Sequence, residues 1–450
     1  MKIQMPEAAN YIIQTLMAHG YEAYIVGGCV RDSVLGRMPQ DWDITTSATP
    51  EQTKALFRRT IDTGIEHGTV TIMMDHVGYE VTTYRVDGKY EDHRRPKEVT
   101  FTASLLEDLK RRDFTINAMA YNEQEGLVDI FGGAEDLRRG IIRCVGVPQE
   151  RFDEDALRIL RAVRFAAQLD FEIEAKTRQA IREKAEFLRD ISAERIQVEL
   201  TKLITSDHPE RIIDAYELGI TAIVLPEFDT MMETPQHTVY HKYDVGRHTV
   251  AVMQNIDATP VLRWAALLHD SAKPECRTTD EQGVDHFYGH PKAGKVIARR
   301  VLRRMKLDND TIQRVERLVE WHDFGLDGTV TKKTLRRALN QMGPDLFDDY
   351  AKLRRADMLG QSDYMQEKKQ QDYRHLLEMY REIREAQECL LIRDLKLDGK
   401  DLIAMGVQPG PDMGKILNDL LQQVLEEPQL NTKEKLKELV QIKWLKDKTE

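Results

Sequence analysis

Two aspartates, Asp41 and Asp43, stand one residue apart and lead into the β-branched run 44–46. Residues i and i+2 of an extended chain point to the same face, so both carboxylates are expected to lie on a strand and face one point. Carboxylate oxygens that share a site suit Mg²⁺, which takes water and phosphate oxygens as its remaining ligands. Two metal ions about 3.5–4 Å apart are a common means of activating both oxygens in a phosphoryl displacement. The spacing therefore predicts magnesium-dependent chemistry on a phosphate.

A glycine pair, Gly27 and Gly28, precedes these aspartates and follows a short β run at residues 23–26. Glycine permits a tight turn and a close approach of the backbone to a ligand. A helix that begins after the turn would offer its free N–H groups to a phosphate, and Arg31 would fork onto phosphate oxygens. An Asp-x-Asp by itself is more typical of a helix cap or a turn. The glycines and Arg31 upstream favour a binding site instead.

A second candidate region, residues 153–165, has the apolar spacing of a helix. Asp155 and Arg158 share a face at i,i+3, and Arg161 and Arg164 extend that ridge. A carboxylate beside a guanidinium offers an acceptor and donors, which is what reading the Watson–Crick edge of a base requires. The alternative is an exposed helix with ordinary ion pairs, each worth about 0.3–0.5 kcal/mol. The segment alone favours that alternative.

Other charged residues between these two regions are candidates for supporting roles. Arg112 and Asp113 precede an apolar helical turn, where Asp113 would act as an N-cap and Arg112 would meet a triphosphate. Glu80 is a candidate third carboxylate for the site of the two aspartates, with a salt bridge or a loop anchor as an alternative of at least equal weight. Residues 85–96 form a polar loop of both charge signs, and loops of this length are usually functional or disordered.

The composition limits the class of protein. The chain has 450 residues, of which 41% are hydrophobic, so about three domains are expected on length. Its net charge of −11 argues against non-specific nucleic-acid binding but leaves room for a local basic surface. No apolar run approaches the ~20 residues of a membrane span, and the N-terminus has the pattern of an amphipathic helix rather than a signal peptide. Four cysteines without paired spacing argue against disulfides and a zinc ribbon, and predict a cytoplasmic protein.

The pattern of elements changes along the chain. Short β runs alternate with helical stretches at first, and from about Gly140 the pattern is almost wholly helical. The later strands are predicted at residues 69–74, 79–86 and 127–131. The fold class expected is an α+β head followed by an all-α chain, divided into a head, a neck, a helical domain and a tail at residues 1–139, 140–225, 226–375 and 376–450.

Taken together, these motifs resemble those of bacterial class II tRNA nucleotidyltransferases, the CCA-adding enzymes of the DNA polymerase β-like superfamily. Residues 27–32 and 41–43 look like the nucleotidyl-transfer motif, 112–118 match the ribose-recognition block, and 154–158 match the amino-acid template. The resemblance implies that Asp41 and Asp43 are catalytic and hold two Mg²⁺ ions. The implied nucleotide-binding residues are Gly28, Arg31, Arg112, Asp155, Arg158, Arg161 and Arg164. The implied supporting residues are Asp32, Glu80, Asp113, Asn117 and Glu154.

The resemblance implies template-independent addition of C, C and A to the 3′ end of tRNA from CTP and ATP. Residues 85–96 resemble the flexible loop that CC-only relatives lack, which leaves an A-adding enzyme as an alternative. A poly(A) polymerase is a further alternative, although residues 68–74 lack the basic signature of that group. The tail lysines Lys433, Lys435, Lys437, Lys443, Lys446 and Lys448 would contact the tRNA backbone or form a solvated helix face. Nothing in the sequence sets the oligomeric state.

The helical domain 226–375 carries most of the histidines, and its His269-Asp270 doublet ends an apolar helix. This pattern looks like the HD phosphohydrolase family. That resemblance implies a divalent-metal site, and imidazole with carboxylate suits a transition metal as well as Mg²⁺ or Mn²⁺. The implied ligands are His248, His269, Asp270 and Asp357, with His290 and His322 as additional histidines. The alternatives are ordinary structural histidines, an RNA-binding scaffold, or a metal phosphohydrolase whose N-terminal head merely binds RNA.

Overall fold

The computed structural model describes residues 2–88, 90–91, 95–96, 99–325 and 328–445. The chain forms two compact units, Met1–Asp229 with Arg304–Lys306 and Thr230–Arg303 with Leu307–Glu450. Across the residues described, none of the helices combines the length and the apolar character that crossing a bilayer requires.

The first unit contains a seven-stranded sheet and several short strand pairs. Its strands are β1 (Ala23–Val26), β2 (Ile44–Thr46), β3 (Thr60–Gly64), β4 (Thr69–Met74), β5 (Val77–Thr83), β6 (Arg85–Asp87), β7 (Tyr90–Glu91), β8 (Arg95–Pro96), β9 (Val99–Phe101), β10 (Met119–Asn122), β11 (Gly126–Asp129), β12 (Ile141–Ile142) and β13 (Glu172–Ile173). The order in the large sheet is β11-β10-β1-β2-β5-β4-β3. Only the β2–β5 pair of that sheet is parallel, and β2 is its central strand.

The helices that begin in this unit alternate with the strands in the first part of the sequence and predominate after β12. They are α1 (Glu7–Ala18), α2 (Gly28–Val34), α3 (Pro50–Leu56), α4 (Leu105–Lys110), α5 (Gly133–Arg139), α6 (Pro148–Glu154), α7 (Leu157–Leu169), α8 (Ala175–Lys184), α9 (Ala193–Ile204), α10 (Ile212–Glu217), α11 (Thr221–Val224) and α12 (Pro226–Met232). Side chains from β1, β10, α4 and the segment after β5 form one buried apolar cluster beneath the sheet, which comprises Tyr24, Val26, Tyr84, Leu109 and Ala120.

The second unit is helical apart from the short hairpin of β14 (Thr278–Thr279) and β15 (Asp285–His286). The helices that begin in it are α13 (Val245–Gln254), α14 (Pro260–Leu268), α15 (Lys273–Cys276), α16 (His290–Arg304), α17 (Asn309–Trp321), α18 (Lys332–Met342), α19 (Phe347–Gly360), α20 (Gln366–Glu385), α21 (Gly399–Ala404), α22 (Pro411–Glu426) and α23 (Lys433–Val440). Helices α13, α14, α17 and α19 pack against one another around the buried Trp264 and Tyr350.

The α+β head followed by a largely helical chain is therefore confirmed. The predicted strand 69–74 coincides with β4, whereas the predicted strand 79–86 is divided into β5 and β6. The almost wholly helical pattern expected after Gly140 is interrupted by one short strand pair, because β12 pairs with β13 on either side of α6 and α7. The division of the chain at residues 139, 225 and 375 stays a prediction.

Candidate functional sites

The turn that carries Gly27 and Gly28 joins β1 to α2 as the sequence predicts. Gly27 adopts φ 80°, a conformation that residues with a side chain rarely adopt, and its backbone N–H donates to the carbonyl of Met119 at 3.2 Å. A Cβ added at Gly27 would lie only 3.0 Å from Nη1 of Arg112. Glycine therefore lets the Arg112 guanidinium pack directly on the turn.

The two aspartates lie just before β2 rather than on it, since the strand begins at Ile44. Asp43 is nevertheless held in line, because its carbonyl accepts a hydrogen bond from Val26 N at 3.0 Å. The parallel register pairs Ile44 with Val81, which brings Glu80 alongside Asp43. Burial and the nearby Glu80 and Asp41 raise the pKa of Asp43, while Arg112 partly opposes this effect. The carboxylates repel one another, and a divalent cation would relieve that repulsion.

A cavity of about 550 Å³, called here the arginine cavity, opens beside Asp43 and the glycine turn. Its walls combine Asp43, Asp113 and Asp155 with a group of arginines, namely Arg31, Arg111, Arg112, Arg158, Arg161, Arg164 and Arg195. A second cavity of about 540 Å³ shares Gly28, Arg31 and Asp43 and adds Asp41. Guanidinium groups at this density suit a polyanion such as a triphosphate. Each of the predicted nucleotide-binding residues lines the arginine cavity.

The prediction that Asp155 and Arg158 share one face of a single helix is wrong. Helix α6 ends at Glu154, Asp155 has extended dihedral angles, and α7 begins at Leu157. The Asp155 carboxylate binds Arg195 at 2.7 Å, and Arg158 binds Glu154 at 2.5 Å. Aspartate competes for nearby backbone N–H groups, and Asp155 accepts from Leu157 N at 3.1 Å, which favours a helix break at this point. Both side chains still line the same cavity.

Asp113 is the centre of an ion-pair network rather than an N-cap. The residue that caps the following 3₁₀ turn is Phe114, and Asp113 lies before it. One Asp113 oxygen accepts from Arg161 at 2.6 and 2.9 Å, and the other accepts from Asn117 at 3.1 Å. Burial disfavours the charged form, but the attraction of Arg161 outweighs it and holds the pKa of Asp113 well below its usual range. Glu199 of α9 continues the network, binding Arg164 at 2.7 Å.

The Phe165 ring, which lines the arginine cavity, makes cation–π contacts with three arginines. The guanidinium carbons of Arg164, Arg31 and Arg161 lie 3.6, 5.1 and 5.3 Å from the ring centroid. Arg31 also binds Asp32 at 2.8 Å and donates to Asn117 at 2.9 Å. These contacts fix the direction of each cation before any ligand is present, which limits the ordering cost of binding.

Two regions singled out in the sequence, the loop 85–96 and the lysine-rich tail, are described only in part. Within residues 85–96, strands β6, β7 and β8 are present, and residues 89 and 92–94 lie outside the described residues. In the tail, Lys433 binds Asp401 at 2.6 Å and Lys443 binds Asp419 at 2.6 Å, while residues 446 and 448 lie outside the described residues. These lysines are therefore already paired within the tail.

The second unit brings all the predicted HD residues together at the ends of its packed helices. His248 lies on α13, His269 and Asp270 follow α14, His290 begins α16, His322 follows α17, and Asp357 lies on α19. All six are at most 6% exposed. Their ligand atoms form two groups within 4.8 Å, which share Asp270 and consist of His248, His269 and Asp270, and of Asp270, His290 and His322.

The orientation of the imidazoles in this histidine cluster suits a metal. The Nδ1 atoms of His269, His322 and His290 lie 2.7, 2.7 and 2.8 Å from the backbone carbonyls of Ala266, Val319 and Phe287. Because a carbonyl only accepts, each Nδ1 carries a proton, and a neutral ring then presents the Nε2 lone pair to the centre. The Nε2 atoms face one another, 3.4 Å apart for His248 and His269 and 3.2 Å apart for His290 and His322.

A cavity of about 540 Å³, the histidine cavity, opens onto Asp270, His290 and His322. Its wall includes the aromatic residues Tyr240, Phe287 and Tyr288, of which Tyr288 is 79% exposed. Two lysines line it as well. Lys273 binds Asp270 at 2.7 Å, and Lys369 donates to Gln361 at 2.8 Å.

Sequence reasoning missed several residues around both cavities. Lys273 is one turn beyond the His-Asp doublet, and this spacing could have indicated it. Asp323 lies within 3.2 Å of His290 and 3.3 Å of His322, and its place beside His322 repeats the His-Asp doublet. Asp108, which is fully buried behind the arginine cavity, has no sequence signal beyond its position before Arg111 and Arg112.

Three family models match consecutive parts of the chain. Residues 23–143 match the "Poly A polymerase head domain", residues 170–232 the "Probable RNA and SrmB- binding site of polymerase A", and residues 279–440 the "tRNA nucleotidyltransferase domain 2". The chain is also similar to the CCA-adding enzyme of Levilactobacillus brevis, with 39% identity over 93% of this chain and 93% of that protein. The chain belongs to the CCA-adding enzyme family.

Solved structures of CCA-adding enzymes have the same fold. The Bacillus stearothermophilus CCA-adding enzyme in complex with CTP matches with a TM-score of 0.72 and 30% identity, covering 99% of this chain and all of that one. The Thermotoga maritima CCA-adding enzyme complexed with tRNA matches with a TM-score of 0.59 over 98% of this chain and 99% of that one; at 20% identity this match shows the fold alone. The resemblance to class II tRNA nucleotidyltransferases is thereby confirmed.

Proposed function

We propose that the chain adds C, C and A to the 3′ end of tRNA by nucleotidyl transfer from CTP and ATP at the arginine cavity. One observation carries this proposal: Asp43 and the base-reading candidates Asp155 and Arg158 line a single cavity large enough for a nucleotide. Family membership supports the same reaction, since the relatives are named for it and one is solved with CTP. The tRNA partner is proposed from the Thermotoga maritima enzyme, whose structure holds tRNA.

The donor set at Asp41 and Asp43 fits magnesium, because hard carboxylate oxygens converge there and repel one another. We assign Asp41 and Asp43 as ligands of two Mg²⁺ ions, with Glu80 as a supporting carboxylate. Magnesium at this site would supply Lewis acidity toward the triphosphate. The remaining ligands would come from the nucleotide and from water. Gly28 at the start of α2 and Arg112 would hold the phosphates against this position.

Arg158 and Asp155 would read the base from opposite sides of the break between α6 and α7. Arg158 is fixed by Glu154 and by the carbonyl of Arg111, to which its Nη2 donates at 2.9 Å. Arg195 holds Asp155. A guanidinium offers donors to cytosine or adenine, and a carboxylate accepts from their exocyclic amino groups. Protein side chains would thereby take the place of a template strand.

Primer extension tests this function. Purified protein with Mg²⁺ would receive a tRNA transcript that ends at the discriminator base, together with CTP, ATP or both. We expect growth by two nucleotides with CTP and by three with both, and none with the Asp41→Ala variant. Growth only of a transcript that already ends in CC would indicate an A-adding enzyme. A long ladder with ATP alone would indicate a poly(A) polymerase.

We propose a second function, metal-dependent phosphoester hydrolysis, at the histidine cluster. The observation that favours it is the convergence of four Nε2 atoms on the Asp270 carboxylate, with distances of 3.2 to 3.5 Å to His248, His269, His290 and His322. Nitrogen and oxygen donors in two groups fit one or two divalent transition ions. Such an ion would supply Lewis acidity toward a phosphoryl oxygen. His248 also meets Asp357 at 3.0 Å, which completes the predicted ligand set.

The walls of the histidine cavity indicate the class of phosphoester. Lys273 and Lys369 would attract a phosphate, while the rings of Tyr240 and Tyr288, which are 46% and 79% exposed, would allow a planar base to stack. A nucleotide or a 2′,3′-cyclic phosphate combines both features.

Metal analysis and hydrolysis test this second function together. We expect the purified chain to retain a divalent metal and to hydrolyse 2′,3′-cyclic nucleotides. The His269→Ala variant should lose both properties. His375→Ala is the matched control, since His375 is 64% exposed and outside the cluster. A chain that binds metal without hydrolysing any phosphoester would leave a structural or RNA-binding role for the cluster.

A further inference from the structure

Asp108 is a fully buried carboxylate whose two oxygens are both in use. It lies on α4, and one oxygen accepts from Nε and Nη2 of Arg111 at 3.0 and 2.8 Å. The other oxygen accepts from Thr45 Oγ1 at 3.1 Å and lies 3.5 Å from Nη2 of Arg112. Burying a charge without partners costs several kcal/mol, so these contacts are what make the position tolerable.

The partners of Asp108 belong to three different parts of the nucleotidyl-transfer site. Thr45 lies on β2, two residues after Asp43, and its hydroxyl also lies 3.3 Å from the carbonyl of Thr82 on β5. Arg112 lines the arginine cavity with Nη1 against Gly27. The carbonyl of Arg111 accepts the hydrogen bond from Arg158. The Asp108 carboxylate therefore contacts β2, the strand that follows the aspartates, and Arg112, a candidate phosphate-binding residue. Through Arg111 it is also linked to Arg158, a candidate base-reading residue.

Arg112 is a partner of Asp108 that also reaches the glycine turn. Its Nη1 packs on Gly27 and its Nη2 contacts Asp108, while its buried Nε finds no hydrogen-bond partner among the described residues. Arg112 and Asp43 line the same cavity. Without the Asp108 charge, Asp43 would remain as an anion in that cavity that attracts Arg112. The guanidinium would then compete with magnesium for the catalytic carboxylate.

We propose that Asp108 is a positioning residue for nucleotidyl transfer, which holds Arg112 toward the incoming triphosphate and away from Asp43. This inference rests on the proposed nucleotidyl transfer at the arginine cavity. Burial works against the charged form of Asp108, but the attraction of Arg112 and Arg111 prevails and lowers its pKa. The carboxylate is therefore ionised at neutral pH.

The Asp108→Asn variant keeps the shape of the side chain and removes its charge. With CTP and a tRNA transcript, we expect the Mg²⁺ concentration for half-maximal rate and the KM for CTP to rise about tenfold each, with kcat at saturation within about threefold. Glu107→Gln is the matched control, because Glu107 is the preceding residue and pairs only at 3.8 Å with Lys110. A fall in kcat at saturating Mg²⁺ with no change in Mg²⁺ dependence would overturn the proposal.

A double-mutant cycle separates this role from a general effect on packing. If Asp108 acts through Arg112, then adding Asp108→Asn to Arg112→Ala should change the Mg²⁺ requirement by less than about twofold. Additive effects would contradict the proposal. If Asp108→Asn does not fold, Thr45→Val removes the hydroxyl that joins Asp108 to β2, together with its contact to the Thr82 carbonyl, and we expect its KM for CTP to rise about threefold. An unchanged KM in a folded Thr45→Val variant would then overturn the proposal.

The wild-type protein, assayed in parallel, distinguishes a failure of the positioning role from a failure of the proposed nucleotidyl transfer. A wild-type protein that does not extend tRNA with CTP would contradict the proposed nucleotidyl transfer itself. A wild-type protein that extends tRNA, with an Asp108→Asn variant of unchanged Mg²⁺ and CTP dependence, would contradict only the positioning role.

Discussion

The arginine cavity and the histidine cavity have nearly the same volume, about 550 and 540 Å³, yet they are built for phosphate in opposite ways. The arginine cavity supplies many cations and few metal ligands, so magnesium there must complete its shell with the oxygens of the nucleotide. The histidine cavity supplies nearly a full ligand set and few cations. The metal site of the arginine cavity is therefore complete only when the nucleotide is bound. The histidine cavity can hold its metal before the substrate arrives.

The two cavities also differ in how they manage burial of charge. Around the arginine cavity each buried acid has a guanidinium partner, as with Asp113 and Arg161 or Glu199 and Arg164. In the histidine cluster, Asp270 and Asp357 face imidazoles, which are neutral when they act as ligands, and each acid also meets one cation, Lys273 or Arg354. The acids of the first network are paired by guanidinium groups alone, whereas in the second several imidazoles share the Asp270 carboxylate, an arrangement that a metal ion at its centre would stabilise.

The largest expected effect is that a single substitution in one cavity abolishes the function of that cavity and leaves the other cavity unaffected. Asp43→Asn should lower nucleotide incorporation by about 10³-fold or more, equivalent to about 4 kcal/mol, and leave metal retention at the histidine cluster unchanged. Asp270→Asn should do the reverse, because Asp270 belongs to both ligand groups. Extension assays and elemental analysis of both variants would check this. If either variant lost both properties while remaining folded, the independence of the two sites would be refuted.

The next effect concerns stability and its dependence on pH. Asp113→Asn should destabilise the fold by about 2 kcal/mol at pH 7, less than for a fully buried pair because Arg161 is 32% exposed. The pKa of Asp113 is lowered in the folded chain, so its contribution exists above the ordinary value near 4 and disappears as the pH falls toward the folded pKa. Denaturant unfolding between pH 7 and 3 should show the difference from wild type shrinking with acid.

The control for this prediction is Asp62→Asn, a side chain that is 47% exposed and pairs with Lys54 at the surface. It should behave as wild type at each pH. A difference for Asp113→Asn that stayed constant from pH 7 to 3 would mean that packing rather than charge makes this residue important.

A smaller effect is expected on the choice of nucleotide. Arg158→Ala should reduce the preference for CTP over UTP by about 10- to 100-fold, as expected for the loss of a bidentate base contact worth about 1–3 kcal/mol. Arg138→Ala is the control, since Arg138 is 74% exposed and pairs with Glu135. Competition assays with mixed nucleotides would measure the preference. Equal losses with CTP and UTP would point to a purely structural Arg158.

The smallest effect is expected in the tail. Lys433 and Lys443 pair with Asp401 and Asp419 at the surface, and such pairs contribute about 0–1 kcal/mol. A Lys433→Ala and Lys443→Ala double variant should change tRNA affinity by less than about twofold at moderate salt. A titration of labelled tRNA at several salt concentrations would check this. A clear drop in the salt dependence of binding would instead assign the tail a phosphate-contacting role.

The sequence predicted well wherever function depends on spacing along the chain. The strand before Gly27 and the helix after it follow from local preferences over a few residues, whereas the aspartates, expected on a strand, precede β2. The histidine cluster was also predicted, because its helices end where the His-Asp doublet and His322 stand.

The sequence failed where partners come from distant segments. Asp155 and Arg158 are close in the chain, but Arg195 and Glu154 are their actual partners, and which guanidinium reaches which carboxylate depends on how α6, α7 and α9 pack. The role of Asp113 was misjudged for the same reason, since Arg161 lies 48 residues away. Local capping preferences cannot anticipate such long-range charge pairs.

The position of β2 at the centre of the seven-stranded sheet has a consequence for motion. Both of its edges are hydrogen-bonded, to β1 on one side and β5 on the other, so its amides are shielded from exchange with solvent until much of the sheet opens. Amide hydrogen exchange should therefore be slowest in Ile44–Thr46, directly after Asp43. The proposed metal-binding carboxylates would then be attached to the part of the head that opens least often.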